Sequence, residues 1–169
     1  MSHATPSALP RDLAHHVPTG LLVDGEWRPA QGGGTFAVDD PATGRTLTEV
    51  ADAGPEDGLD ALAAAHATAP AWRDVAPRER AELLRAVFET LVARTEDFAA
   101  LITAEGGKPL AEARAEVAYA ADYVRWFSEQ AVRVGGLTRT APSGTNRQLV
   151  LRRPVGPALL ITPWNFPSR

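Results

Sequence analysis

The sequence contains no cysteine. That absence removes disulfides, thiolate metal sites and cysteine nucleophiles from anything these 169 residues do by themselves. Histidine is scarce as well. His3, His15, His16 and His66 include no pair at helical ligand spacing with an acid nearby, so no metal site is expected. His15-His16 reads as a solvated tail feature. No apolar run approaches the roughly 18 residues of a membrane-spanning helix, so no membrane partner is expected. Basic charge is not in excess either: 17 Lys and Arg against 21 Asp and Glu give a net charge of −4, with no patch for nucleic acid. Residues 1–18 carry Arg11 and three histidines without an apolar centre, which argues against a secretory signal and leaves a cytoplasmic protein as the default.

What remains is a globular composition, 44% hydrophobic and 22% charged, in a chain long enough for a sizeable core. Residues 1–18 lack any period and read as a flexible arm. Two short strands flank Asp24-Gly25, a pair that favours a type I′ hairpin because both central residues need positive φ. Gln31-Gly32-Gly33-Gly34 is a loop without phosphate-binding register, since no helix follows it. Thr35–Asp39 and Thr46–Val50 complete a small antiparallel unit.

From Gly54-Pro55 the chain turns Ala-rich and helical. Pro55 suits a first helical turn with Glu56 and Asp57 at the positive dipole end, and Leu59, Leu62, Ala63 and His66 follow at helical spacing until Pro70 closes the segment. A second helix starts near Pro77 and carries Leu84, Val87, Phe88 and Leu91. A third opens at Thr95-Glu96-Asp97 and ends at Gly106-Gly107, which supply a C-cap. The longest helix spans about Pro109–Val134, with Val117, Ala120, Val124, Phe127, Ala131 and Val134 as its apolar stripe. Tyr119, Tyr123 and Trp126 beside that stripe read as packing residues. Arg147–Pro154 alternates as a strand. The apolar run Pro157–Thr162 then reads as a buried strand that feeds a proline-bracketed corner, Pro163-Trp164-Asn165-Phe166-Pro167.

Few residues invite chemistry. The acids Glu79, Glu82, Glu89, Glu96 and Asp97 interleave with arginines, as solvated i,i+4 pairs do, so no paired-carboxylate site is indicated. Ser128 and Ser143 have no matching His and acid. Lys108 reads as structural: a reactive lysine needs desolvation, and a Gly-rich turn is normally wet. Asn165 stands apart. Its amide, fixed between prolines, can donate to a negatively charged oxygen developing during attack on a carbonyl, or else satisfy turn backbone groups.

The order of "VDGEW", "DPATG", "APAW", "EGGKPLAEARAEVAYAADYVRWFSEQAVRVGG" and "RRPVGPALLITPWNFP" resembles the N-terminal part of NAD(P)-dependent aldehyde dehydrogenases, with "GKPL" and "WFSE" tilting toward the succinate-semialdehyde branch. The resemblance implies an α/β fold, here incomplete: N-terminal β-hairpin strands, a four-helix segment, then the first strand of a Rossmann-type parallel sheet. Residues 19–136 would begin the dinucleotide-binding domain (strands 20–50, helices 55–134), residues 137–154 the oligomerisation strands, and residues 155–169 the first Rossmann-type strand and its loop. It implies that Asn165 is the oxyanion-hole amide, and that Ile161, Thr162, Pro163, Trp164 and Asn165 lie along NAD or NADP. A small aldehyde is the implied substrate and a homo-oligomer, dimer or tetramer, the implied assembly. The family's nucleophilic cysteine, general-base glutamate, ribose-contacting lysine and Gly-rich phosphate segment have no counterparts here, and Arg169 is not equated with the family's substrate-side arginine. The expectation is therefore the front portion of such an enzyme, inactive by itself, with doubtful cofactor binding of its own. The alternatives are a non-catalytic fragment or interaction module, or a different aldehyde dehydrogenase branch.

Overall fold

The computed structural model describes residues 17–168. The expected flexible arm lies outside that range except for Val17 and Pro18, as do His3, His15, His16 and Arg169. Six strands and four helices follow in the order β1 (Leu21–Val23), β2 (Glu26–Arg28), β3 (Thr35–Asp40), β4 (Arg45–Ala51), α1 (Pro55–Asp74), α2 (Pro77–Ala93), α3 (Thr95–Gly106), α4 (Leu110–Ala131), β5 (Leu137–Thr140) and β6 (Arg147–Val150). The strands pair as three separate antiparallel hairpins.

The first hairpin turns on Asp24 and Gly25, at φ 53° and 80°, the positive pair a type I′ turn needs. It does not merge with β3–β4 into one ladder. A hydrogen bond joins the two hairpins instead: Ala51 N–H donates to the Thr19 carbonyl at 2.8 Å, while Asp52 N–H, donating to the Gly34 carbonyl at 2.9 Å, extends the β3–β4 hairpin by one step.

Pro55 starts α1 as expected, but Pro70 does not close it, and the helix runs on to Asp74. An interior proline leaves the carbonyl four residues back unbonded. His66 and Pro70 lie on an exposed flank, where water can take that role. The Leu59 and Leu62 stripe of α1 is also left exposed; α1 packs against β1 of the first hairpin and touches α2 through Arg80, which donates to the Arg73 carbonyl at 3.3 Å. What ties α1 down is polar. Asp57, 3% exposed, accepts the N–H of Gly54 at 3.0 Å and that of Gln31 at 3.1 Å, with an Arg28 guanidinium nitrogen 3.6 Å away. Arg28 also donates to Asp60 at 2.9 Å, and that pairing holds the Asp60 carboxyl below its ordinary range. One buried carboxylate thus caps the helix and fixes the strand end beside it.

The helical group proper is α2, α3 and α4, with α4 against both others. Its core is Ala99, Ile102, Ala113 and Val117, with Phe98 packed beside them. Small residues let the helices approach closely. Arg114 of α4 reinforces the seam by binding both oxygens of Glu96 on α3, at 2.9 and 2.7 Å. Glu96 therefore pairs across helices, while Arg85–Glu89 is an i,i+4 pair of the expected kind. Gly107 caps α3 in the left-handed region at φ 69°; a Cβ there would sit 3.1 Å from Pro41 Cγ.

Two expectations need correction. Tyr119, Tyr123 and Trp126 are more than half exposed, and the tyrosines stack on each other rather than into the core. Residues 151–163 form no strand: no neighbouring strand is present among the described residues, and an apolar run becomes a strand only by pairing.

Substituting Asp57→Ala leaves two backbone donors without their acceptor and removes one of the two carboxylates beside Arg28, and is expected to cost about 2–4 kcal/mol of stability. Urea unfolding followed by circular dichroism measures it. A loss indistinguishable from that of an exposed acid such as Glu82→Ala contradicts this account of the first hairpin and α1.

Candidate active site

The corner that ends the described chain is a hydrogen-bonded turn. Phe166 N–H donates to the Pro163 carbonyl at 3.1 Å, which places Trp164 and Asn165 at the two central positions. The turn closes without the Asn165 side chain. That amide is exposed and makes no hydrogen bond among the described residues.

Two charged residues fasten this corner to the helices. Lys108 follows the α3 cap and projects its ammonium toward the loop, donating to the Asn165 carbonyl at 2.8 Å with Nζ 4.4 Å from the centre of the Phe166 ring. The same ammonium pairs with Glu116 of α4. Glu116 is buried and accepts the Ser168 N–H at 3.1 Å and the Ser168 hydroxyl at 2.9 Å. Burial pushes the Glu116 carboxyl up, but Lys108 and the two Ser168 donors together outweigh it, and the group ends below the ordinary glutamate range.

Lys108 makes structural contacts of the kind expected of it; the Gly106-Gly107 turn is exposed as expected, but the lysine side chain itself is 17% exposed. Glu116 and Ser168 escaped sequence reasoning. A signal for Glu116 existed, since it falls in the register of Ala113, Val117 and Ala120, and a charge inside a buried stripe requires partners. Nothing local marked Ser168.

A cavity of about 440 Å³ opens beside the loop, lined by Val38, Glu105, Gly107, Lys108, Trp164 and Asn165 among others. Glu105 is exposed as a residue, but the neighbours it shares with this cavity partly desolvate its carboxyl and raise it above its ordinary range. A larger cavity of about 670 Å³, mainly apolar, lies between α3 and α4 and reaches Pro167 and Ser168. Ile161 and Trp164 are 85% and 93% exposed, and residues 158–162 have no backbone ladder. Ile161, Thr162, Pro163, Trp164 and Asn165 are therefore brought together as one accessible edge. It provides no phosphate cradle, because the Gly32–Gly34 loop leads into β3 and not into a helix. Among the described residues no three of His, Cys, Asp and Glu gather as a metal site, and no helix is long and apolar enough to cross a membrane.

The family profile described as "Aldehyde dehydrogenase family" matches residues 27–169. The chain belongs to the aldehyde dehydrogenase family. Its members are oxidoreductases, and the α/β arrangement here is the N-terminal part of their fold. A succinate-semialdehyde dehydrogenase of Paenarthrobacter nicotinovorans is 57% identical over 121 residues, covering 72% of this chain and 27% of that protein. A glutarate-semialdehyde dehydrogenase of Pseudomonas putida is 42% identical, covering 86% of this chain and 30% of that protein. Among solved structures, a betaine aldehyde dehydrogenase from Staphylococcus aureus in complex with NAD+ superposes with a TM-score of 0.88 at 26% identity, over 93% of this chain and 32% of that one. The chain thus spans under a third of the length of these relatives.

Glu116 carries a stability prediction. Because its carboxyl is lowered in the folded state, its contribution is complete above the ordinary glutamate range and is lost as pH falls through the folded value. Glu116→Gln should therefore melt a few degrees below the unsubstituted chain near neutrality, and the gap should close under acid conditions. Thermal melts across pH check the sign; a gap that widens in acid refutes it.

Proposed function

We propose that these residues supply the oxyanion-stabilising amide and one cofactor-facing edge of an NAD(P)-dependent aldehyde dehydrogenase that converts succinate semialdehyde, or a related aldehyde such as glutarate semialdehyde, to the carboxylate. The observation that carries the reading is Asn165. Its backbone is fastened by Lys108 and by the Pro163–Phe166 turn, while its side-chain amide makes no hydrogen bond among the described residues.

When a nucleophile adds to an aldehyde carbon, the carbonyl oxygen takes on the negative charge. A donor already aimed at that oxygen lowers the barrier without reorganising. Asn165 would be that donor. Ile161, Thr162, Pro163 and Trp164 would lie along NAD or NADP, mostly by exposed backbone, and the bound nicotinamide would supply a hydride acceptor. Residues 19–136 are assigned to the dinucleotide-binding part and residues 137–154 to oligomerisation strands of a dimer or tetramer. The two relatives quoted act on semialdehydes, which supports an aldehyde bearing a distal carboxylate.

These 169 residues hold no thiol, so no thiohemiacetal forms on them and hydride transfer has no covalent donor. The purified chain with succinate semialdehyde and either cofactor is expected to yield no reduced cofactor above a buffer blank. In a chimera, residues 27–169 replace the corresponding family region of the Paenarthrobacter nicotinovorans enzyme, and turnover is expected to be restored. There Asn165→Ala should lower kcat by about 10²–10³-fold with little change in KM. A folded chimera that turns over equally well with alanine at 165 refutes the assignment.

A further inference from the structure

We propose that Lys108 and Glu116 act as positioning residues for Asn165, a charged clasp that sets where its amide stands. The proposal rests on the oxyanion reading for its functional meaning, but its geometry is independent of it.

The loop needs a clasp. Residues 151–163 have no regular structure, Trp164 projects into solvent, and the turn itself spans just four residues. Left to these features the corner would move freely, whereas a donor useful in catalysis must be held to within a fraction of an ångström. Among the described residues, hydrogen bonds from the corner to Lys108 and α4 converge on two side chains. Lys108 takes the Asn165 carbonyl and lies over the Phe166 ring, so it grips the centre of the turn. Glu116 takes both donors of Ser168 and grips the exit. The two are themselves paired, so neither end can shift without disturbing the other.

Their anchors are rigid. Lys108 stands directly after the left-handed Gly107 cap, and Glu116 lies within the buried stripe of α4 that packs on α3. The clasp also holds main-chain atoms of Asn165 and Ser168, and leaves the Asn165 amide free. Control of position and the proposed chemistry therefore sit on different atoms of one residue.

The test needs no turnover. In the 169-residue chain the amides of Phe166 and Ser168 report on the turn and on the exit, and Asn165 reports through its side-chain NH2 resonances. Lys108→Met, with helical circular dichroism retained, should speed hydrogen exchange of both backbone amides about tenfold or more and shift the Asn165 side-chain signals. Lys108→Arg, which restores charge and donors, should bring both back toward the unsubstituted values. Asn165→Ala should leave the two amides protected, because the clasp uses its carbonyl. If Lys108→Met loses its helical signal, the near-isosteric Glu116→Gln decides, with faster Ser168 exchange expected. Unchanged exchange in the folded variants, or no recovery with arginine, overturns the clasp. A wild-type kcat for the chimera carrying Asn165→Ala would overturn the oxyanion reading alone, so the two failures are distinguishable.

Discussion

A carboxylate taken out of water must find donors, and the position of Glu116 imposes that requirement on this chain. It falls in the stripe that α4 turns toward α3, among Ala113, Val117 and Ala120. An ionised group at such a place is strongly unfavourable unless paired and hydrogen-bonded. Its partners come from two remote stretches, Lys108 before α4 and Ser168 after the proline corner. Satisfying one buried charge therefore dictates how the α3 cap is turned and where residues 163–168 lie. The Gly106-Gly107 reversal that delivers Lys108 answers the same electrostatic demand.

That dependence is strong because the hydrophobic contribution is small. Among the described residues, seven of the nine buried apolar ones are alanines, the others being Ile102 and Val117. Burial stabilises roughly in proportion to apolar area removed from water, so an alanine seam permits close approach but adds little per residue. Polar fastenings carry a correspondingly larger share. Asp57 joins the first hairpin to α1, Arg114–Glu96 joins α3 to α4, and Lys108–Glu116 joins the corner to the helices. Large apolar side chains meanwhile stand exposed along α1 and from Val155 to Trp164. Such a surface is the kind that another protein layer covers.

The features legible in the sequence were those whose cause is local. Asp24-Gly25 has a conformation that few other pairs adopt, Pro55 and Pro77 favour first turns, and Gly107 tolerates the left-handed cap, so each announced an element boundary. The misreadings share a different cause. Pro70 breaks helices on average, yet an exposed helix flank lets water replace the missing bond. Pro157–Thr162 has the composition of a buried strand, but pairing is a property of neighbours and not of the segment. Tyr119 and Tyr123 have the spacing of packing residues, yet they stack on each other and stay more than half exposed. The site divided along the same line. Asn165 stood out as a candidate because prolines bracket it, whereas Lys108 and Ser168 acquire meaning only once the chain has folded back on Glu116.

The charge balance of the corner bears on what Asn165 can do. An ammonium so near a nascent alkoxide would usually be credited with stabilising it. Here Lys108 is committed: Glu116 offsets its charge, the Asn165 carbonyl accepts one of its hydrogens, and the Phe166 ring lies alongside. On the oxyanion reading, the developing negative charge is then met by a neutral dipole held in place by a compensated ion pair. A dipole fixed in advance stabilises the charged transition state and attracts an uncharged aldehyde only weakly, which favours turnover over ground-state binding. An uncompensated lysine at the same point would bind anions indiscriminately, the carboxylate product among them. On that reading, the pairing with Glu116 separates two functions that one cation would have merged, holding the loop and answering the charge.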